Sequence, residues 1–242
     1  MKKSCALKTA SLFFLFYFLP FYLCAQENLY NANLSITNLY SANLAIADET
    51  DLKSLLKKGP DIIYSNVEVT DDNWLIVEVD THNVLDVPLE NVVRIMKNIE
   101  NHHNVYIDGL TKTKSVKILD KKDNVTTAVF VYATKVGPVT DESYYTATIT
   151  ALDPVLNSNK KSYGEIHKQI GENETIRKLT AVWYACAAFV DGKEYTYIRF
   201  YESSEINQKN RKLFVQMGYR NIHSNSLKQL EKAAKALTEL PK

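Results

Sequence analysis

Leu227-Lys228-Gln229-Leu230-Glu231-Lys232-Ala233-Ala234-Lys235-Ala236-Leu237 is the stretch that decides the fold. Leu227, Leu230, Ala234 and Leu237 recur at spacings of three and four and so form one side of a helix, while Lys228, Glu231, Lys232 and Lys235 occupy the other. Glu231 stands one turn ahead of Lys235, the orientation in which such a pair supports a helix. The spacing predicts a long amphipathic helix over residues 210–240. That helix must bury its stripe, and the preceding chain supplies the surface.

Most of that chain alternates as strands do. Ile62, Ile63, Val67 and Val69 form a first extended stretch, and Leu75, Val77 and Val79 alternate with Trp74, Ile76 and Glu78 in a second. Residues 115–119, 125–136, 144–152, 179–189 and 195–203 continue the pattern, with a turn at Lys121-Lys122-Asp123-Asn124 and a tight hairpin at Asp191-Gly192. Two shorter helices precede these five strands. One is capped by Thr50 or Asp51, carries Leu52, Leu55 and Leu56, and stops at Gly59-Pro60. The other opens at Pro88 with Asp86 as a cap, and sets Leu89, Val92, Val93, Met96 and Ile99 on one stripe. Residues 101–104 read as a polar bend, and residues 153–174 as a long polar loop with a helical turn near 164–170. The expectation is an α+β domain, an antiparallel sheet on whose concave face the long C-terminal helix buries its stripe.

The first 25 residues read as an address. Lys2, Lys3 and Lys8 precede an apolar run from Thr9 to Leu23, and Ala25 stands before Gln26, the layout of a cleaved signal peptide. The run holds Pro20 and falls short of the roughly 20 residues a spanning helix needs. The expected location is therefore periplasmic or secreted. Lipidation at Cys24 is the lesser alternative, because bulky Leu23 stands where a small residue is wanted. Residues 26–49 are expected to be a linker or arm: Asn28-Leu29-Tyr30-Asn31-Ala32-Asn33-Leu34-Ser35-Ile36 returns ten residues later as Asn38-Leu39-Tyr40-Ser41-Ala42-Asn43-Leu44-Ala45-Ile46, too few units for a solenoid. Residues 50–242 form the domain.

Cleavage turns the formal charge of +1 into about −2, since three lysines leave with the signal, so nothing draws the chain to nucleic acid. It also leaves Cys186 as the one cysteine, in apolar company that makes it a buried hydrophobe, and stability must come from packing.

This order of elements resembles the START domain and the wider START-like superfamily that includes polyketide cyclases. The resemblance covers residues 52–240. Asp61-Ile62-Ile63-Tyr64 is similar to the family's opening strand, and residues 84–96 to its proline-initiated helix; Tyr106 stands where a Trp is usual. Val136-Gly137-Pro138-Val139-Thr140-Asp141-Glu142-Ser143-Tyr144-Tyr145 resembles the Pro-Val-Ser-Asp-Arg-Asp turn, with Glu142 and Ser143 in place of Arg-Asp, so that pair's role does not carry over. Ile176-Arg177 matches the stretch before the penultimate strand, whereas the Gly and Pro usual before the last helix are missing from residues 205–215. The resemblance implies an α+β helix-grip fold, a curved antiparallel sheet wrapped around the long C-terminal helix, with a cavity between helix and sheet that relatives use for apolar ligands and some for catalysis.

Residue by residue, catalytic chemistry finds little support. Of the five histidines none has ligand spacing, and adjacent His102 and His103 are expected to face solvent, so neither a metal nor a cofactor is expected. No nucleophile elbow or phosphate loop occurs among seven scattered glycines. Asp71-Asp72, Asp141-Glu142, Glu172 and Glu174 read as solvated loop acids. Fifteen tyrosines are the unusual feature: Tyr195, Tyr197, Arg199 and Tyr201 share one strand face, which either suits a partly wet surface or lines a cavity, with Arg199 as anion partner. The candidate ligand-lining set is Trp74, Tyr106, Tyr132, Tyr145, Trp183, Tyr197, Arg199, Leu230, Ala233 and Ala234, with Ala233 and Ala234 leaving room beneath the helix. Three functions follow in order: a noncatalytic carrier or sensor of a lipid, fatty acid or sterol-like molecule, with transient membrane contact; an envelope or surface interaction module; and a cyclase-like enzyme.

Overall fold

A computed structural model describes residues 49–136, 138–152, 161–207 and 212–238. The signal peptide and the repeat at 27–46 lie outside the described residues. Chain order is α1 (Glu49–Lys58), β1 (Asp61–Val69), β2 (Leu75–Leu85), α2 (Leu89–Lys97), a 3-10 turn (Ile99–Asn101), α3 (His102–Val105), β3 (Thr111–Lys122), β4 (Val125–Val136), β5 (Val139–Leu152), β6 (Ser162–Ile170), β7 (Ile176–Val190), β8 (Lys193–Ile206) and α4 (Lys212–Thr238).

All eight strands join one curved antiparallel sheet in the order β1-β2-β8-β7-β6-β5-β4-β3. Strands β3 to β8 form a run of sequential hairpins, and β8 then pairs with β2. Because β2 and β3 lie far apart in the sheet, the chain between them must cross it, and α2, the 3-10 turn and α3 make that crossing over the concave face. The Asp191-Gly192 hairpin closes with both residues at positive φ, as such a two-residue turn requires.

Pairing assigns the faces. Phe200 stands opposite Thr81 and Trp183, and Trp183 opposite Glu165, so these four share the concave side. Leu85, Val92, Met96, Ala185, Ile198, Leu227, Leu230 and Ala234 pack together there, each at most 2% exposed. Burying a Leu in such a cluster stabilises by about 1.5–3 kcal/mol, which explains why the 227–237 stripe is so regular. The opposite face is not bare. Helix α1 packs on β2 and β7, and buries Leu52 and Leu55 together with the outward Val84, Tyr184 and Cys186.

Four sequence expectations need correction. Residues 162–170 form a full strand instead of a loop or helical turn. Residues 99–105 are helical turns with a buried interior side, and His102 is buried while His103 is exposed. Asp86 is no cap: Pro88 holds that position without a side-chain bond, and the Asp86 carboxylate accepts from Lys193 at 2.5 Å. The Tyr195–Tyr201 face points away from α4, which excludes it from the interior of the grip.

Candidate ligand-binding cavity

Beneath the N-terminal half of α4 the sheet and helix part, leaving a cavity of about 450 Å³. Phe130, Tyr132 and Tyr145 form one wall. Their rings lie 5.3–6.2 Å apart with interplanar angles of 24° or less, and the Tyr132 and Tyr145 hydroxyls are 3.1 Å apart. Trp183 and Phe200 stack at 3.8 Å on the other side, and Phe200 continues onto His223 at 4.0 Å. Val215, Gly218, Tyr219, Ile222 and Ser226 form the roof, and Met96, His102 and Tyr106 close the end under the crossing helices. Leu110, Thr111 and Lys135 lie at the exposed rim.

The interior is apolar with a polar seam. Glu165, 2% exposed, accepts from the Tyr163 hydroxyl at 3.0 Å and is 2.7 Å from Nε2 of buried His167. Both carboxylate oxygens are thus engaged, which is what allows an acid to lie so deep. Glu202 accepts from Ser204 at 2.5 Å, and its other oxygen is 3.5 Å from Nε2 of His223. Burial pushes the Tyr132 phenol up to about 12 and those of Tyr145 and Tyr219 well above their usual range, with the negative charge of Glu202 adding to the effect. These phenols therefore stay neutral hydrogen-bonding groups.

His102 differs from His167, the other histidine of the lining. Desolvation drops its imidazole to about 4, so the ring is neutral at physiological pH. Backbone bonds to Ile95 and Met96 hold it. Its Nε2 is buried without a hydrogen-bond partner, and the ring lines the cavity wall.

Of the sequence-derived set, Tyr106, Tyr132, Tyr145 and Trp183 line this cavity. The other six do not. Trp74 lies before β2 under the Arg177 guanidinium at 4.9 Å. Tyr197 and Arg199 belong to the outer face, where Tyr197 meets His82 at 3.3 Å and Arg199 makes a two-pronged ion pair with buried Asp80, one contact at 2.8 Å. Arg199 is therefore spoken for and unavailable as an interior anion partner. Leu230 and Ala234 sit fully buried in the closed core, with Ala233 packed against it, so the alanines bring helix and sheet together instead of leaving space.

Sequence reasoning missed Glu165, His167, Glu202 and the roof glycine. The available signal was the period of two in Tyr163, Glu165, His167 and Gln169, which puts four polar side chains on one strand face.

No protein-family model and no curated protein matches the sequence. Solved structures do match in shape. The Zhui aromatase/cyclase from Streptomyces sp. R1128 superposes with a TM-score of 0.53 at 11% identity, covering 68% of this chain and 96% of that one. TTHA0849 from Thermus thermophilus gives 0.52 at 14% identity over 67% and 99%, and human STARD10 gives 0.52 at 10% identity over 80% and 82%. The chain has the START-like helix-grip fold, as the order of its elements implied.

Proposed function

We propose that this protein binds an apolar small molecule in the cavity under α4, as an exported carrier or sensor. The observation that carries the reading is an aromatic-walled space of about 450 Å³ beneath α4. That volume falls within the range of roughly 300–1,000 Å³ of small-molecule sites, which are apolar with a few convergent polar groups. The exposed apolar side chains of Leu110, at the rim, and of Ile107 and Met217, each next in sequence to a lining residue, support transient contact with a membrane during loading. Export rests on the N-terminal pattern, and N-terminal sequencing of protein from its native host tests it. Mature protein should begin at or near Gln26.

Mass spectrometry of organic extracts from protein purified without detergent tests the binding reading. A stoichiometric apolar compound is expected. An empty protein that also takes up no added apolar fluorophore would refute it.

One observation favours a second reading, catalysis. The buried Glu165–His167 pair, at 2.7 Å, has the form of a base oriented by a carboxylate. The aromatase/cyclase likeness is compatible with it but is one of fold. Turnover of a bound compound that Glu165→Gln abolishes without releasing the compound would favour this reading.

A further inference from the structure

We infer that the ligand is a neutral, flat-ringed compound bearing a hydroxyl group that donates to Nε2 of His102, and that the cavity rejects ligands that carry a carboxylate or phosphate into it. This rests on the binding reading above and names the chemical class it leaves open.

Three observations carry it. The first is the orphaned nitrogen. His102 is 6% exposed, its ring is fixed by the backbone of Ile95 and Met96, and Nε2 has no partner. Those backbone groups raise the histidine's proton affinity, as carbonyl acceptors do, so the ring proton sits on Nδ1 and Nε2 presents a lone pair. A buried acceptor without a donor is costly, and an O–H at the end of an apolar ligand satisfies it.

The second is charge. Glu165 and Glu202 both line the cavity, and the negative charge of Glu165 acts on both His102 and Tyr106. Among the described lining residues the one lysine or arginine is Lys135, which is exposed at the rim. A ligand carboxylate pushed inside would meet like charge in a low-dielectric space with no cation to pair. The third is shape: the nearly parallel rings of Phe130, Tyr132 and Tyr145 form one flat wall suited to a planar guest.

Three fluorescent probes on one skeleton separate these claims: 9-anthracenemethanol, 9-methylanthracene and 9-anthracenecarboxylate. Titrated into the delipidated full chain, the alcohol should bind about fivefold tighter than the methyl compound, the gain of one hydrogen bond. The carboxylate should bind at least about tenfold weaker than the methyl compound. In His102→Phe, checked for folding by a thermal melt, the alcohol's advantage over the methyl compound should vanish. In Glu202→Gln the penalty on the carboxylate should shrink severalfold. Equal affinity of alcohol and methyl compound in the wild type, or an advantage that survives His102→Phe, overturns the hydroxyl assignment while leaving the binding reading intact. Tighter binding of the carboxylate overturns the charge argument. If none of the three binds, both this inference and the binding reading fall.

Discussion

The two halves of α4 cover the same sheet and do opposite things. Toward the C-terminus Leu227, Leu230 and Ala234 are fully buried in one cluster with residues of α2, β2, β7 and β8, and the interface is closed. Toward the N-terminus Gly218, Tyr219, Ile222 and Ser226 roof a cavity, and a Cβ added at Gly218 would meet no atom within 4 Å. Small residues mark both halves, yet with opposite meaning. Ala234 allows close approach where large neighbours fill in from below, whereas Gly218 faces emptiness because the sheet beneath it turns aromatic and recedes. A small side chain predicts a cavity only when what stands opposite is known.

The contrast can be tested in order of expected effect. Leu230→Ala in the closed half should cost about 2–5 kcal/mol in urea unfolding, the cost of a core cavity. Acid should weaken the open half through His102. With the folded ring near 4 and an ordinary imidazole at 6.5, the unfolded chain takes up the proton first, so this stability is fully present above about pH 6.5 and is lost as pH falls toward 4. The loss approaches about 3 kcal/mol at 1.36 kcal/mol per pKa unit, and between pH 7.5 and 4.5 the wild type should lose more stability than His102→Phe by about that amount. Ala234→Trp should overpack by roughly 1–3 kcal/mol. Gly218→Ala should do the reverse and raise the unfolding midpoint, since Ala in a helix interior is worth about 0.5–1 kcal/mol over Gly and nothing stands in its way.

How far the sequence disclosed all this follows the same division. The closed half was legible because its core obeys one rule: Leu227, Leu230 and Ala234 repeat at helical spacing, and β4, β7 and β8 alternate or run apolar where they are buried. The open half broke the rule at β6. Tyr163, Glu165, His167 and Gln169 face inward while Ile166 and Ile170 face outward, so the strand's polarity is inverted and its sequence reads as a solvated loop. The strand escaped notice for the reason that makes it interesting, since local patterns fail where a site needs polar groups inside. His102 escaped for a related cause: its neighbours His103 and Asn104 are exposed, and the helical turn buries it together with Val105. The outer tyrosine face misled in the other direction. Period two cannot say which face is inside, and Tyr197, Arg199 and Tyr201 fell outside, where Asp80, His82 and Glu78 from β2 pair with them.

The central claim is that apolar ligand enters beneath residues 215–226 of α4 and not beneath 227–237. Titration of 9-methylanthracene into wild type, Gly218→Phe and Ala234→Trp tests it most directly. The account predicts that Gly218→Phe weakens binding by about tenfold or more, as an occupied cavity should when its methylene-sized contacts of about 0.8 kcal/mol each are displaced, with the unfolding midpoint nearly unchanged. Ala234→Trp should instead lose stability and keep its affinity. Unaltered affinity in a folded Gly218→Phe, or loss of binding confined to Ala234→Trp, would contradict it.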